Sequence, residues 1–123
     1  MSMYFTKEHE WVKVDGNVGT IGISGHAAHE LGDITFVELP KIGAVVKQFG
    51  VLGSIESVKA ASDIFAPLSG KVTKVNDALD LAPEAVNESA EDAGWMAQIE
   101  IAAAAELSNL MTQEQYDAYL KTL

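Results

Sequence analysis

The sequence predicts a mainly β fold, a small sandwich or barrel, and three observations predict it. Short β-branched runs recur between Gly, Pro and Asp-Gly breaks, among them WVKV, VGTIGI, DITFVELP, VLGSIESV, GKVTKVN and WMAQIEI. Strands of that length and spacing are the pattern of sandwiches and barrels. The one well-capped amphipathic helical pattern comes at the end of the chain. With 123 residues, 48% of them hydrophobic and 21% charged, the chain can bury a core without disulfides or a structural metal, and it reads as a single domain over 1–123.

In chain order, residues 11–23 form a hairpin whose turn is Asp15-Gly16-Asn17. SGHAAHELGD follows as a short helix: Ser24 is its N-cap, Ala27, Ala28 and Leu31 favour helix, and Gly32 stops it. DITFVELP, 33–40, is a strand closed by Pro40, which has no N–H for a ladder. GAVVKQ, VLGSIESV, SDIFAPL and GKVTKVN read as four more strands. GAVVKQ at 43–48 echoes GKVTKV at 70–75 in its Gly, Val and Lys positions, and the midpoint of the two is residue 59. The echo predicts two β-units about a pseudo-twofold, with Lys59 near the joining turn. PEAVNESAEDAG, 83–94, reads as an acidic surface loop with a helical turn opened by Pro83, before the strand WMAQIEI. In the tail, Thr112 and Gln115 have capping-box spacing, and Leu110, Met111, Tyr116, Tyr119, Leu120 and Leu123 make an apolar stripe that predicts a helix packed on the sandwich. Trp11 and Trp95 are read as core, the second at a strand start.

A formal charge of −10 repels a nucleic-acid backbone and an anionic membrane, and no Lys/Arg cluster with interleaved aromatics reverses it locally. Cationic protein surfaces are the partners it favours, although acidity also simply keeps a protein soluble. Without cysteine there is no disulfide, no thiolate zinc ligand and no thiol nucleophile. His26 and His29 sit at three-residue spacing with no third ligand beside them, so no metal is expected. No apolar run reaches membrane-spanning length, and MSMYFTKEHEWVKV has neither a signal-peptide pattern nor a transit-peptide composition. A cytoplasmic, bacterial protein is expected.

The stretch IESVKAASD places Lys59 between β-like runs and before small residues. Ala60, Ala61 and Ser62 leave the amine open, while Val58 and Ile55 anchor the approaching strand and Ile64 and Phe65 the leaving one. By spacing alone Lys59 is a solvated hairpin lysine or an amine presented for modification. A Schiff-base lysine needs a desolvated pocket, for which an alanine-flanked turn is a poor place.

The blocks FTKEHEWVKV, GTIGIS, LGDITFVELP, IESVKAASD, APLSGKV, VN and GW, in that order and over nearly the whole chain, resemble the H proteins of the glycine cleavage system. The resemblance implies a barrel-sandwich hybrid of the biotinyl/lipoyl-domain type with short helices and a C-terminal helix. It implies lipoate in amide linkage on Lys59 and a carrier rather than an enzyme. Biotin is disfavoured, because biotin carriers usually place Met on both sides of the lysine and here the neighbours are Val58 and Ala60. By the same resemblance the arm takes the aminomethyl group of glycine from a pyridoxal-phosphate decarboxylase (P protein) to a folate aminomethyltransferase (T protein). A flavin L protein, a dihydrolipoamide dehydrogenase, then reoxidises the dithiol.

An aminomethyl thiol is labile in water, so a carrier should hold the loaded arm in a groove and meet its ammonium with a carboxylate. Glu10 and Asp63 are the candidates, with Glu8 as a third; the plainer readings are a solvated acid for Glu10 and a turn residue for Asp63. His9, beside Glu10, is read as a surface histidine, with contact to the arm as the alternative. Glu56 and Asp63 flank Lys59 as recognition charges for the lipoylating enzymes. Three other readings compete: an H-like relay donating lipoyl groups to other acceptors, an unmodified interaction module, and an enzyme with turnover of its own. A monomer is expected, since a carrier that visits several enzymes should not bury its surface permanently.

Overall fold

The computed structural model describes residues 2–123. Among them, ten strands form two antiparallel sheets. The larger has the order β10 (Met111–Thr112), β1 (Ser2–Phe5), β2 (Glu10–Asp15), β3 (Val18–Ile23), β9 (Ala97–Ile101), β8 (Gly70–Val75), β5 (Val45–Val46). The smaller has the order β4 (Ile34–Glu38), β6 (Val51–Ser57), β7 (Ala61–Phe65). The helices are α1 (Gly25–Leu31), α2 (Ala78–Leu81), α3 (Ala85–Glu88) and α4 (Gln113–Leu120), with a 3-10 helix at Ala104–Asn109. The mainly β reading therefore holds.

Asp15 pairs with Val18 across β2 and β3, which leaves Gly16 and Asn17 as the turn. Gly16 has φ +62°, the conformation the first position of a tight hairpin turn demands. Ser24 caps α1, its Oγ accepting from the Ala27 N–H at 3.2 Å, and Gly32 ends the helix at φ +76°. The capping box of Thr112 and Gln115 opens α4. The echoed segments pair with each other, Val45 with Lys71 and Val46 with Gly70. Their register is centred on the turn that also closes the β6–β7 hairpin.

Two apolar clusters lie against the larger sheet. Val12, Ile21, Leu68, Val72 and Ile99 make one, with Leu52 and Ala66 from the ends of the inner hairpin. Ile23 and Met96 join Ile34, Val37, Ile55 and Ile64 of the smaller sheet in the other, closed by Ala28, Leu79 and Val86 from the first three helices. Phe5, Trp11 and Tyr116 form a third cluster, where α4 docks. Phe5 and Tyr116 stack with ring centroids 4.2 Å apart.

Several local readings are corrected. Val58 does not anchor its strand: it is 67% exposed at the hairpin tip, and Ile55 alone on that side is core. Trp95 lies before β9 and is only half-buried, with the Lys74 ammonium 6.0 Å from its ring. Residues 83–94 are not wholly a surface loop, since Val86 and Ala90 are buried. The apolar residues are too sparse among the acids to show a period, and only the gap between the sheets gives them a place. GAVVKQ contributes just two strand residues, and Met111 pairs with Phe5 in a strand instead of sharing the α4 stripe. Leu123 of that stripe is exposed.

Candidate functional site

Lys59 stands at the tip of the β6–β7 hairpin. Glu56 pairs with Ala61, and the Ser57 N–H donates to the Ala60 carbonyl at 2.8 Å, leaving Val58 and Lys59 as the two tip residues. Neither has positive φ, so the tip is not one of the primed turns that usually close a two-residue hairpin. Side-chain bonds hold it. Ser57 Oγ accepts from the N–H groups of Lys59 and Ala60, both at 3.2 Å, and donates to the Ala60 carbonyl at the same distance. The Val58 N–H donates to the Asp33 carbonyl at 3.1 Å, which ties the tip to the segment after α1. Residues 58–63 are exposed. The turn is pinned and the amine is bare.

The stem of Lys59 lies beside Gly32, where a Cβ would stand 3.4 Å from Lys59 Cε. From that end of α1 a groove of about 210 Å³ runs between α1 and β7. Ile23, Ala27, Leu31, Ile64 and Phe65 make its apolar floor, and Glu8, Glu10, Glu30 and Asp63 bring four acids to it. The three acids singled out from sequence thus meet in one groove. A larger hollow of about 470 Å³ lies on the far side of Glu10 and shares Glu8, Glu10 and Phe65 with the groove. No residue of α1 lines it, whereas the smaller groove reaches Leu31, next to Gly32, and Ser62, three residues past Lys59.

Glu10 is not the solvated acid it resembles in sequence; it is 1% exposed. Strand alternation places it on the same face as Val12, toward the interior. Its Oε1 accepts from the Thr6 hydroxyl and its Oε2 from the Phe65 N–H at 3.3 Å. Burial pushes its carboxyl above the usual range, the two hydrogen bonds oppose that, and nearby Glu8 adds to it. Asp63 is not a turn residue: it sits in β7 opposite Ser54, exposed at the groove rim. Glu8 is exposed at the other rim.

His9 is half-buried at the groove with φ +72°, and Tyr116 explains its position. The Tyr116 hydroxyl lies 2.7 Å from His9 Nδ1 and 2.7 Å from Ser24 Oγ, joining the loop of residues 6–10 to the cap of α1. Burial holds the imidazole below its ordinary value; His26, its ring 4.7 Å away, lowers it further, and Glu8 and Glu30 oppose this. His26 and His29 gather no further ligand: among the described residues no three His, Asp or Glu groups could hold a metal. Sequence reading marked neither Thr6 nor Ser57, and Tyr116 only as part of the apolar stripe of the last helix. Only Ser57 carried a local signal, a serine two residues before Lys59.

The raised Glu10 carboxyl sets the sign of a stability effect. The folded state binds the Glu10 proton more tightly than the unfolded chain, so this residue's contribution to stability falls as pH rises from the ordinary carboxylate range to its raised folded value. In urea unfolding, stability between pH 4 and 7 should fall less steeply with rising pH in Glu10→Gln than in the wild type. Identical slopes would mean that the carboxyl titrates as a solvated one.

Two antiparallel sheets with short helices between their strands and a helix at the end of the chain define a class by fold, the lipoyl-domain type. The family model described as Glycine cleavage H-protein matches residues 3–123. The chain is 54% identical over 121 residues to the glycine cleavage system H protein of Caulobacter vibrioides, covering 98% of this chain and all of that one. It is 46% identical over 115 residues to that of Thermotoga maritima, covering 94% and 93%. A crystal structure of the H protein from Mycobacterium marinum superposes with a TM-score of 0.88 at 31% identity, over 99% and 98% of the two chains. The chain belongs to the glycine cleavage H-protein family. Membership makes it a carrier component of a multi-enzyme system rather than an enzyme, and implies a carrier of lipoate that meets the other components of that system. Among the described residues no helix is long and apolar enough to cross a membrane.

Proposed function

We propose that this chain is the lipoyl-bearing carrier of glycine cleavage. Lipoate is amide-linked to Lys59, the aminomethyl group of glycine passes from the P protein to the T protein, and electrons pass to the L protein. The observation that carries the reading is the nearness of the exposed lysine tip, its stem beside Gly32, to a groove that starts at Leu31 and Ser62 and is lined by a buried carboxylate. The residues fit the group: the floor of Ile23, Ala27, Leu31 and Ile64 suits an aliphatic chain, and a chain without cysteine cannot trap a dithiol as a mixed disulfide. When bound, lipoate supplies a dithiolane that takes the cargo on one sulfur, is reduced in doing so and is later reoxidised.

The rest falls to the chain's own residues. Ser57 and Asp33 hold the tip outward for the enzymes that must reach it. Glu10, withdrawn from water, accepts a charge-assisted hydrogen bond from the cargo ammonium, and the groove walls keep water from the labile carbon. Asp63 and Glu8 add attraction at the rims, which salt screens. Glu56 and Asp63 remain exposed beside Lys59 and serve the lipoylating enzymes as recognition charges. The charge of −10 steers the carrier to cationic partner surfaces, and it works as a cytoplasmic monomer that exchanges between them.

The test uses lipoylated protein, reduced and loaded with formaldehyde and ammonia, which condense with a thiol to give the aminomethyl group and water. Ammonia release is then followed at pH 7. Losing a buried charge-assisted hydrogen bond should speed release roughly tenfold in Glu10→Gln, whereas Asp63→Asn at the exposed rim should change it only about twofold. Equal lifetimes in the wild type and Glu10→Gln would overturn the groove reading.

A further inference from the structure

Glu10 enters the groove from β2, but the direction of its carboxylate is set four residues earlier. Thr6 is 3% exposed, and its Oγ1 accepts from the N–H groups of Glu8 at 3.2 Å and Glu10 at 3.1 Å. A hydroxyl has two lone pairs and one proton to give. Both lone pairs are taken, so the proton goes to the remaining neighbour, Glu10 Oε1. The backbone closes the same loop: the Thr6 N–H donates to the Glu10 carbonyl at 2.9 Å, and the Thr6 carbonyl accepts from the His9 N–H at 3.2 Å. The other carboxylate oxygen is held from β7 by the Phe65 N–H. Glu10 is gripped by one oxygen from each side.

We propose that Thr6 is the positioning residue of the groove: its hydroxyl holds the Glu10 carboxylate ionised and aimed at the cargo ammonium. The proposal rests on the reading of the groove given above. An isolated carboxylate this deeply buried is driven toward its neutral form. A neutral Glu10 protonated on Oε1 would point its O–H at a threonine oxygen whose lone pairs are already filled, so the Thr6 arrangement favours the charged form. Thr6 lines the larger hollow and not the groove, and therefore acts through Glu10 instead of on the arm. The other charged or titratable groups around Glu10 are Glu8 and His9 of its own loop, Glu30 of α1, Asp63 of β7, Tyr116 of α4 and Lys7 in the larger hollow. None of them donates a hydrogen bond to its carboxylate, whereas Thr6 and Phe65 do.

Two readouts test this on the full chain. The first is the carboxyl 13C NMR titration of Glu10 in unlipoylated protein, where Thr6→Val should move the midpoint upward and Thr6→Ser should leave it in place. The second is ammonia release from the loaded arm, which Thr6→Val should speed roughly fivefold at pH 7, more at lower pH, with Thr6→Ser restoring the wild-type rate. Thr6→Ala is read in the same way if the valine variant does not fold. An unmoved Glu10 titration in a folded variant overturns the proposal whether or not the arm docks. A lifetime that Glu10→Gln shortens and Thr6→Val does not also overturns it. A lifetime that neither changes overturns the groove reading on which it rests.

Discussion

Lys59→Arg, made in cells supplied with lipoate, leaves the protein at its unmodified mass, while the wild type gains one lipoyl increment. The effect is all or none because an amide needs a neutral amine as nucleophile, and a guanidinium stays protonated at any working pH. Arginine keeps the positive charge and most of the stem. The turn is held by Ser57 Oγ and the Asp33 carbonyl, neither of which bonds to the lysine side chain. An exposed substitution of this kind should leave stability within about 0.5 kcal/mol. Intact-mass spectrometry and a thermal melt of both proteins check the two halves of the expectation. A wild type without the increment, in cells whose other lipoyl proteins are modified, would sink the carrier reading. An increment that persists in the variant would move the attachment to another lysine.

Trp11→Ala should cost about 3–5 kcal/mol, the range for emptying a buried aromatic site. The ring is fully buried and covers Gly22, where a Cβ would come within 2.6 Å of it. Its Nε1–H donates to the carbonyls of Ile23 at 2.7 Å and Ala90 at 3.1 Å, so alanine would also leave two acceptors without their donor. Those bonds tie the end of β3, which carries part of the groove floor, to the segment that buries Ala90. A loss of this size approaches the whole stability of many domains of this length. Urea unfolding gives the number, and a cost below about 1 kcal/mol would show that the site refills or that the ring contributes little. Trp11→Phe fills most of the volume but donates nothing, and should fall between.

Residues 10 and 63 show how far the sequence could be read. Both stood out as acids near blocks that resemble the family, yet nothing local told that one is buried and the other open. Alternation did hold a signal for Glu10, which shares a face with Val12, but an acid at an interior position is the exception to that rule. Asp63 looked like a turn residue because the turn could not be located to better than a few residues. Register settles it, with Ser54 opposite Asp63 and the tip at Val58 and Lys59. Tyr116 gave no sign of its polar role because its partners are chosen by packing, one 107 positions away and another 92 away, whereas the partners of Thr6 are Glu8 and Glu10 of its own loop.

By itself the sequence determined the mainly β class, a hairpin turn at Asp15-Gly16-Asn17, the caps of α1 and α4 and the place of Lys59 between two strands. These are local: each rests on the torsions a residue tolerates or on side-chain bonds reaching two to four positions along the chain. The tertiary structure decided that Val58 is bare and Val86 buried, that Glu10 lies inside, and that α1 and β7 form a groove which Glu10 lines. Burial and the shift it imposes on a carboxyl depend on what α1 and β7 bring from distant parts of the chain to the loop of residues 6–10, and no local window contains them all.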